Sequence, residues 1–110
     1  MQTATLNKKD IEDFQNAPFI FGVVDRVRNT FVHLNEAFEE ITGFKIVDVL
    51  DKSNSVSRVI PGEEDHKELF AQTGIVFDQT WVNKRGKQLD IHCLVIRKGR
   101  YIYLEAFKKP

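Results

Sequence analysis

The chain has 110 residues, 42% hydrophobic and 29% charged, with sixteen basic side chains balancing sixteen acidic ones. That length holds one domain of ordinary globular composition. The neutral balance supplies no global field to draw in nucleic acid or an anionic membrane, and no apolar run approaches the roughly 20 residues of a transmembrane helix. The N-terminal MQTATLNKKD lacks the apolar run of a signal peptide, and a single Cys excludes an internal disulfide. Both features point to the cytoplasm.

In LNKKDIEDFQNA, Leu6, Ile11 and Phe14 are separated by polar residues, and Ile11 and Phe14 share one helical face. This predicts a short amphipathic helix within residues 1–17, closed by Pro18, ahead of a core domain over 18–110. FIFGVVD is apolar almost throughout and reads as a strand covered on both sides. Asp25 to Asn29 supply a turn, and TFVHL returns as a second strand, completing a hairpin.

A short helix follows in NEAFEEITGF. Asn35 is expected as its N-cap, with the side-chain oxygen accepting a bond from a first-turn amide. Phe38 and Ile41 lie on one face, while Glu36, Glu39 and Glu40 face water early in the helix, where its dipole favours them. Gly43 is the expected left-handed stop, with Phe44 packing back. Such a helix does not survive alone, so a tertiary surface must hold it.

Lys45 to Ile60 hold at most small helical turns, around Ile46, Val47, Val49 and Leu50 and then Val56, Val59 and Ile60. Pro61-Gly62 breaks the chain before the helix EEDHKELFAQ, with Gly74 as its stop. The remainder reads as three strands, IVFDQTWV, KQLDIHCLVIR and YIYLEAFKK, joined by turns at NKRG and Lys98-Gly99. Strands at both ends and helices between them predict an α+β domain with one antiparallel five-stranded sheet.

The stretch VVDRVRNTFVHLNEAFEEITGF resembles the PAS domain family, the PAS/PAC sensory-box module. It has that family's strand ending in Asp, hairpin, aromatic-rich strand, Asn, helix with an inward Phe, and Thr-Gly-aromatic. VIPGEED is similar to the family's Pro-Glu-Asp entry into its long helix, with one extra residue. WVNKRGK is similar to its Lys-Asp-Gly hairpin, with Arg85 in place of Asp. The resemblance runs from Phe14 to Phe107. It implies the spatial strand order 2-1-5-4-3, with helices arched over one face of the sheet. It also implies a sensory or protein-interaction module, not itself an enzyme, in a larger protein with a kinase, cyclic-dinucleotide or transcriptional output. Family members often end in Asp-x-Thr before a connecting helix; here FKKP stands, and Pro110 opposes immediate continuation.

The family's register turns Gln79, Trp81, Leu89, Ile91, Cys93, Val95, Ile102, Leu104 and Ala106 toward the helices. Val24 and Leu34 join them, Gly22 leaves space, and the helical faces add Phe38, Ile41, Leu69 and Phe70. Two readings of this interior stay open. One is a core filled by its own side chains. The other is a pocket for a small, mainly apolar ligand oriented by Gln79 or by the Trp81 N–H, which needs a partner in Gln79, a backbone carbonyl or the ligand. The same register points Leu94, Ile96, Tyr101, Tyr103 and Phe107 outward. A face so apolar needs a cover, in part Leu6, Ile11 and Phe14 and otherwise a second subunit or a neighbouring signalling domain.

His66 shares a helical face with Leu69, Phe70 and Thr73, and some PAS relatives bind haem through a His on this helix. The third strand has no Arg to stabilise a haem ligand or propionate, and Trp81 crowds a porphyrin, so a surface or partly packed His is the expectation and no cofactor is expected. Cys93 sits in a strand between apolar neighbours, unlike the reactive Cys that the light-sensing branch carries on its helical side. His33 and His92 belong to strands with two others between them, roughly 14 Å apart, too far to share a metal. No G-x-S-x-G, inward carboxylate pair or Gly-rich phosphate loop is present. A small pocket enzyme, such as an isomerase, would have only His66 for acid–base work. Lys84, Arg85 and Lys87 crowd one hairpin tip near Lys108 and Lys109 and read as solvated turn residues rather than a nucleic-acid site.

Overall fold

The computed structural model of the chain describes residues 17–109. The expectations placed on Leu6, Ile11, Phe14 and Pro110 lie outside the described residues. The elements run β1 (Ile20–Asp25), β2 (Thr30–Leu34), α1 (Glu36–Thr42), α2 (Ile46–Val49), α3 (Ser55–Val59), α4 (Glu63–Ala71), β3 (Val76–Val82), β4 (Gln88–Lys98) and β5 (Tyr101–Lys108). The strands form one antiparallel sheet in the order β2-β1-β5-β4-β3. The α+β class and the strand order are those expected from the sequence.

Turn chemistry sets the register. Between β3 and β4, Asn83 accepts the amides of Arg85 and Lys87 on its side-chain oxygen, both at 2.9 Å, and Gly86 takes the positive φ of the turn. Lys98 pairs with Tyr101, so two residues close the β4–β5 hairpin. An irregularity between Val23 and Val24 places Val24 opposite Phe31 while Gly22 faces Leu34. The space left by Gly22 is taken by Leu34, whose methyl would lie 3.1 Å from an added Cβ.

The helices are too short to persist alone and are held by what they bury. Phe38 of α1, Val49 of α2, Val56 and Val59 of α3, and Leu69 of α4 are all fully buried against the sheet. Each such burial contributes about 1.5–3 kcal/mol. Phe38 packs between Phe31 and Phe44, with ring centroids 5.6 and 6.4 Å away. The outer edge of β2 is covered in part, since Phe31 bridges Leu50 and its carbonyl accepts the Asp51 amide at 2.8 Å.

Three local expectations are corrected. Asn35 stands at the N-cap position with extended backbone, but its side chain makes no cap bond. Its oxygen accepts the Phe21 amide at 3.0 Å and its nitrogen donates to the Phe19 carbonyl at 2.8 Å. The first strand's backbone, buried alongside it, competes better for the amide than a helix end that water can serve. Glu39 is half-buried rather than turned to water, because its carboxylate accepts the Ile46 amide at 2.8 Å and caps α2. Helix α4 ends in extended backbone at Gln72; the left-handed Gly74 lies two residues on and donates to the Val95 carbonyl. Gly43 does stop α1, with φ 77° and its amide on the Glu39 carbonyl.

Candidate functional site

The face between sheet and helices is centred on Trp81. The alternation of β3 sends Gln79 and Trp81 to the same side, and both are buried. The Trp81 indole N–H donates to the Gln79 side-chain oxygen at 2.9 Å. The Gln79 amide nitrogen donates in turn to the Asp65 carbonyl in the first turn of α4, and the Asp65 carboxylate accepts the Thr80 amide at 3.3 Å. A hydrogen-bonded chain therefore runs from a fully buried indole of the core to the first turn of α4. Nothing in the sequence marked Asp65 as its end, because a backbone carbonyl has no residue signature.

Around this chain lie Val24, Leu34, Phe38, Leu69, Leu89, Ile91, Cys93 and Leu104, all buried in one cluster, with Ile41 and Phe70 partly buried against it. Trp81, Phe38, Leu69, Ile91, Cys93 and Leu104 have no accessible surface. A side chain with none borders no void that admits a water-sized sphere. Burial, helped by the charge of Glu68, pushes the Cys93 thiol up to about 12, so it stays protonated at neutral pH.

His66 sits at the edge of this cluster, and its Nε2 lies 2.9 Å from the Asn29 side-chain oxygen. Its ring meets Phe70 edge-on at 4.7 Å. Asn29, in the β1–β2 turn at φ 56°, also donates to Ser57 at 2.9 Å and to Asn54 at 3.3 Å. With both Asn29 hydrogens given away, its oxygen accepts, so His66 carries its proton on Nε2. One polar node thus ties the turn, α3 and α4 together. Burial holds the His66 pKa below its usual value. The sequence signal for this node was weak: Asn at two turn positions that tolerate a left-handed backbone.

A second clasp joins the two ends of the fold. The buried Asp25 carboxylate accepts Arg100 Nε on both oxygens at 2.9 Å, and Arg100 Nη2 lies 2.8 Å from Oδ2. It also accepts the Val27 and Arg28 amides. These bonds, led by that to Arg100, hold its pKa below the usual carboxylate value despite burial.

On the opposite face of the sheet, register brings Val23, Tyr103 and Ile96 side by side, and Leu94 beside Val76. Leu94, Tyr101 and Tyr103 are half-buried, while Ile96 and Phe107 are 39% and 43% exposed. The Phe107 ring packs on Phe19, with centroids 4.9 Å apart and planes tilted by 35°. His92 and Lys109 both bond the exposed Asp78 on this face, at 2.6 and 3.3 Å. Among the described residues, no group of three His, Cys, Asp or Glu is placed to hold a metal ion, and no helix is long and apolar enough to cross a membrane.

No protein-family model and no curated protein matches the chain. Solved structures do. A PAS domain from a two-component sensor histidine kinase superposes with TM-score 0.73 at 13% identity, covering 93% of this chain and 95% of that one. The PAS domain of an HTR-like protein from Haloarcula marismortui gives 0.65 at 18%, covering 92% and 89%. A blue-light activated histidine kinase from Erythrobacter litoralis gives 0.66 at 17%, covering 90% of this chain and 35% of that one. The chain has the PAS domain fold.

Proposed function

We propose that this PAS-fold domain is a protein-interaction and relay module of a signalling protein, not itself an enzyme. The observation that carries the reading is that one sheet has a core under short helices on one face and a partly exposed apolar row on the other. A change in packing under the helices is then felt directly by whatever rests on the outer face, a second copy of the domain or a neighbouring signalling domain. The relay is a population shift between two packings, each favoured by a different bound state. The solved relatives from sensor histidine kinases support this class of role.

The core residues without accessible surface favour an interior filled by its own side chains. A small apolar ligand would have to part the helices by breaking the Trp81–Gln79–Asp65 chain, which makes that chain the switch in the ligand-sensing version of the reading. The interior does not fit haem. His66 is held by Asn29, and among the described residues Trp81 and Leu104 have no accessible surface for a porphyrin to meet.

Sedimentation velocity tests the outer face. The wild-type domain is expected to associate at high micromolar concentration, and Ile96→Glu with Phe107→Glu to release monomers that circular dichroism shows to be folded. A wild type that stays monomeric, or a double variant that associates unchanged, contradicts the assignment of that face.

A further inference from the structure

Two adjoining surface clefts of about 350 and 300 Å³ meet at the β3–β4 hairpin and share Ile41 and Asn83. Their rims carry five cations, Lys84, Arg85, Lys87, Lys108 and Lys109, against two carboxylates, Glu40 and Asp90. Among the described residues only Lys109 of the five makes an ion pair, with Asp78. The chain as a whole is neutral, so this excess is a local segregation and not a share of general basicity. The floor is different: Ile41 is half-buried and Leu89 nearly fully so. The backbone that carries these cations is anchored by hydrogen bonds. Asn83 holds the amides of Arg85 and Lys87, and the Lys84 amide donates to the Thr42 carbonyl at 2.8 Å. The Lys109 amide donates to the Asp90 carbonyl at 2.9 Å.

We propose that this cleft docks an acidic peptide segment of a partner protein, one with an aliphatic side chain flanked by carboxylates. The unpaired rim cations steer the carboxylates and fix orientation, and the Ile41–Leu89 floor takes the aliphatic group. The mixed lining favours a peptide over a nucleic acid, whose backbone offers charge but no aliphatic side chain. The proposal stands on this cleft alone and is independent of the outer face.

The probe is a fluorescein-labelled peptide Glu-Glu-Leu-Glu-Glu, titrated with the whole domain by fluorescence anisotropy at low and at physiological ionic strength. Binding should weaken with salt, fall several-fold when the Leu becomes Gly, and disappear when Gln replaces Glu. Lys84→Glu with Lys87→Glu should weaken it by roughly tenfold or more. Lys52→Glu with Lys67→Glu, which changes net charge equally elsewhere, should leave it within about twofold. All four lysines are exposed, and a thermal melt shows whether each variant is folded. Amide shift changes on peptide addition should centre on Lys84–Lys87 and Lys108–Lys109. Equal weakening by both double variants, indifference to the Leu, equal binding of an oligouridine, or shifts centred elsewhere would overturn the proposal.

Discussion

Replacing Gln79 with Leu removes the middle of the Trp81–Gln79–Asp65 chain while keeping nearly the same volume. The Trp81 indole N–H, on a side chain with no accessible surface, then has no partner, which costs about 1–3 kcal/mol. Loss of the bond to the Asp65 carbonyl adds about 0.5–1.5 kcal/mol, and the greater apolarity of Leu offsets part of the sum. The net expectation is a loss of about 2 kcal/mol, or roughly 8–16 °C in Tm for a domain of this size. Urea unfolding followed by circular dichroism measures it directly. Trp81 is the single Trp, so its emission also reports whether the indole becomes wet. Trp81→Phe has its own packing cost, but in the double variant no N–H is left stranded. The two substitutions should therefore fall short of additivity by about 1 kcal/mol or more. Additivity within about 0.5 kcal/mol, or a near-silent Gln79→Leu, would refute the reasoning.

Asp25→Asn should cost about 1.5–3 kcal/mol near neutral pH, since it weakens charge-assisted bonds to Arg100. The folded pKa of Asp25 lies below its ordinary 3.8, so its contribution is complete above that value and lost as pH falls through the folded pKa. The gap between wild type and variant should accordingly be flat near neutrality and close below about pH 4. The pKa values of His33 and His66 are both lowered by burial from 6.5; the fold favours their neutral forms, so stability should hold above that pH and decline as pH drops through it. His33→Phe should shallow the decline, as denaturant midpoints across that range will show. Gly22→Ala meets Leu34 at 3.1 Å and the His33 carbonyl at 3.4 Å, and a loss of about 1–3 kcal/mol is expected in the same assay. Thr30 is fully buried with its hydroxyl unpartnered among the described residues, so Thr30→Val should raise stability by about 1 kcal/mol.

What the sequence made legible was whatever repeats or punctuates. Alternation in VFDQTWV and QLDIHCLV separates buried from outward positions because the pleat imposes a period of two, and Gly43 stops α1 because a left-handed residue is needed there. The family resemblance supplied the strand order, which no local pattern contains. The polar ties were not legible. Asp25 and Arg100 lie 75 residues apart and His66 and Asn29 lie 37 apart, and no periodicity links such pairs. Asn35 and Glu39 misled for a related reason. Local chemistry assigned Asn35 to its own helix and Glu39 to water, while a strand backbone and the amide of the next helix were the stronger claimants in the folded chain.

We propose a domain whose core is filled and which works through contacts with another protein surface. Native mass spectrometry of the purified domain reports bound ligand and subunit number in one spectrum. A dimer at twice the polypeptide mass, with nothing added, is expected. A bare monomer, or any species carrying the added mass of a haem, a flavin or another small molecule, would contradict it.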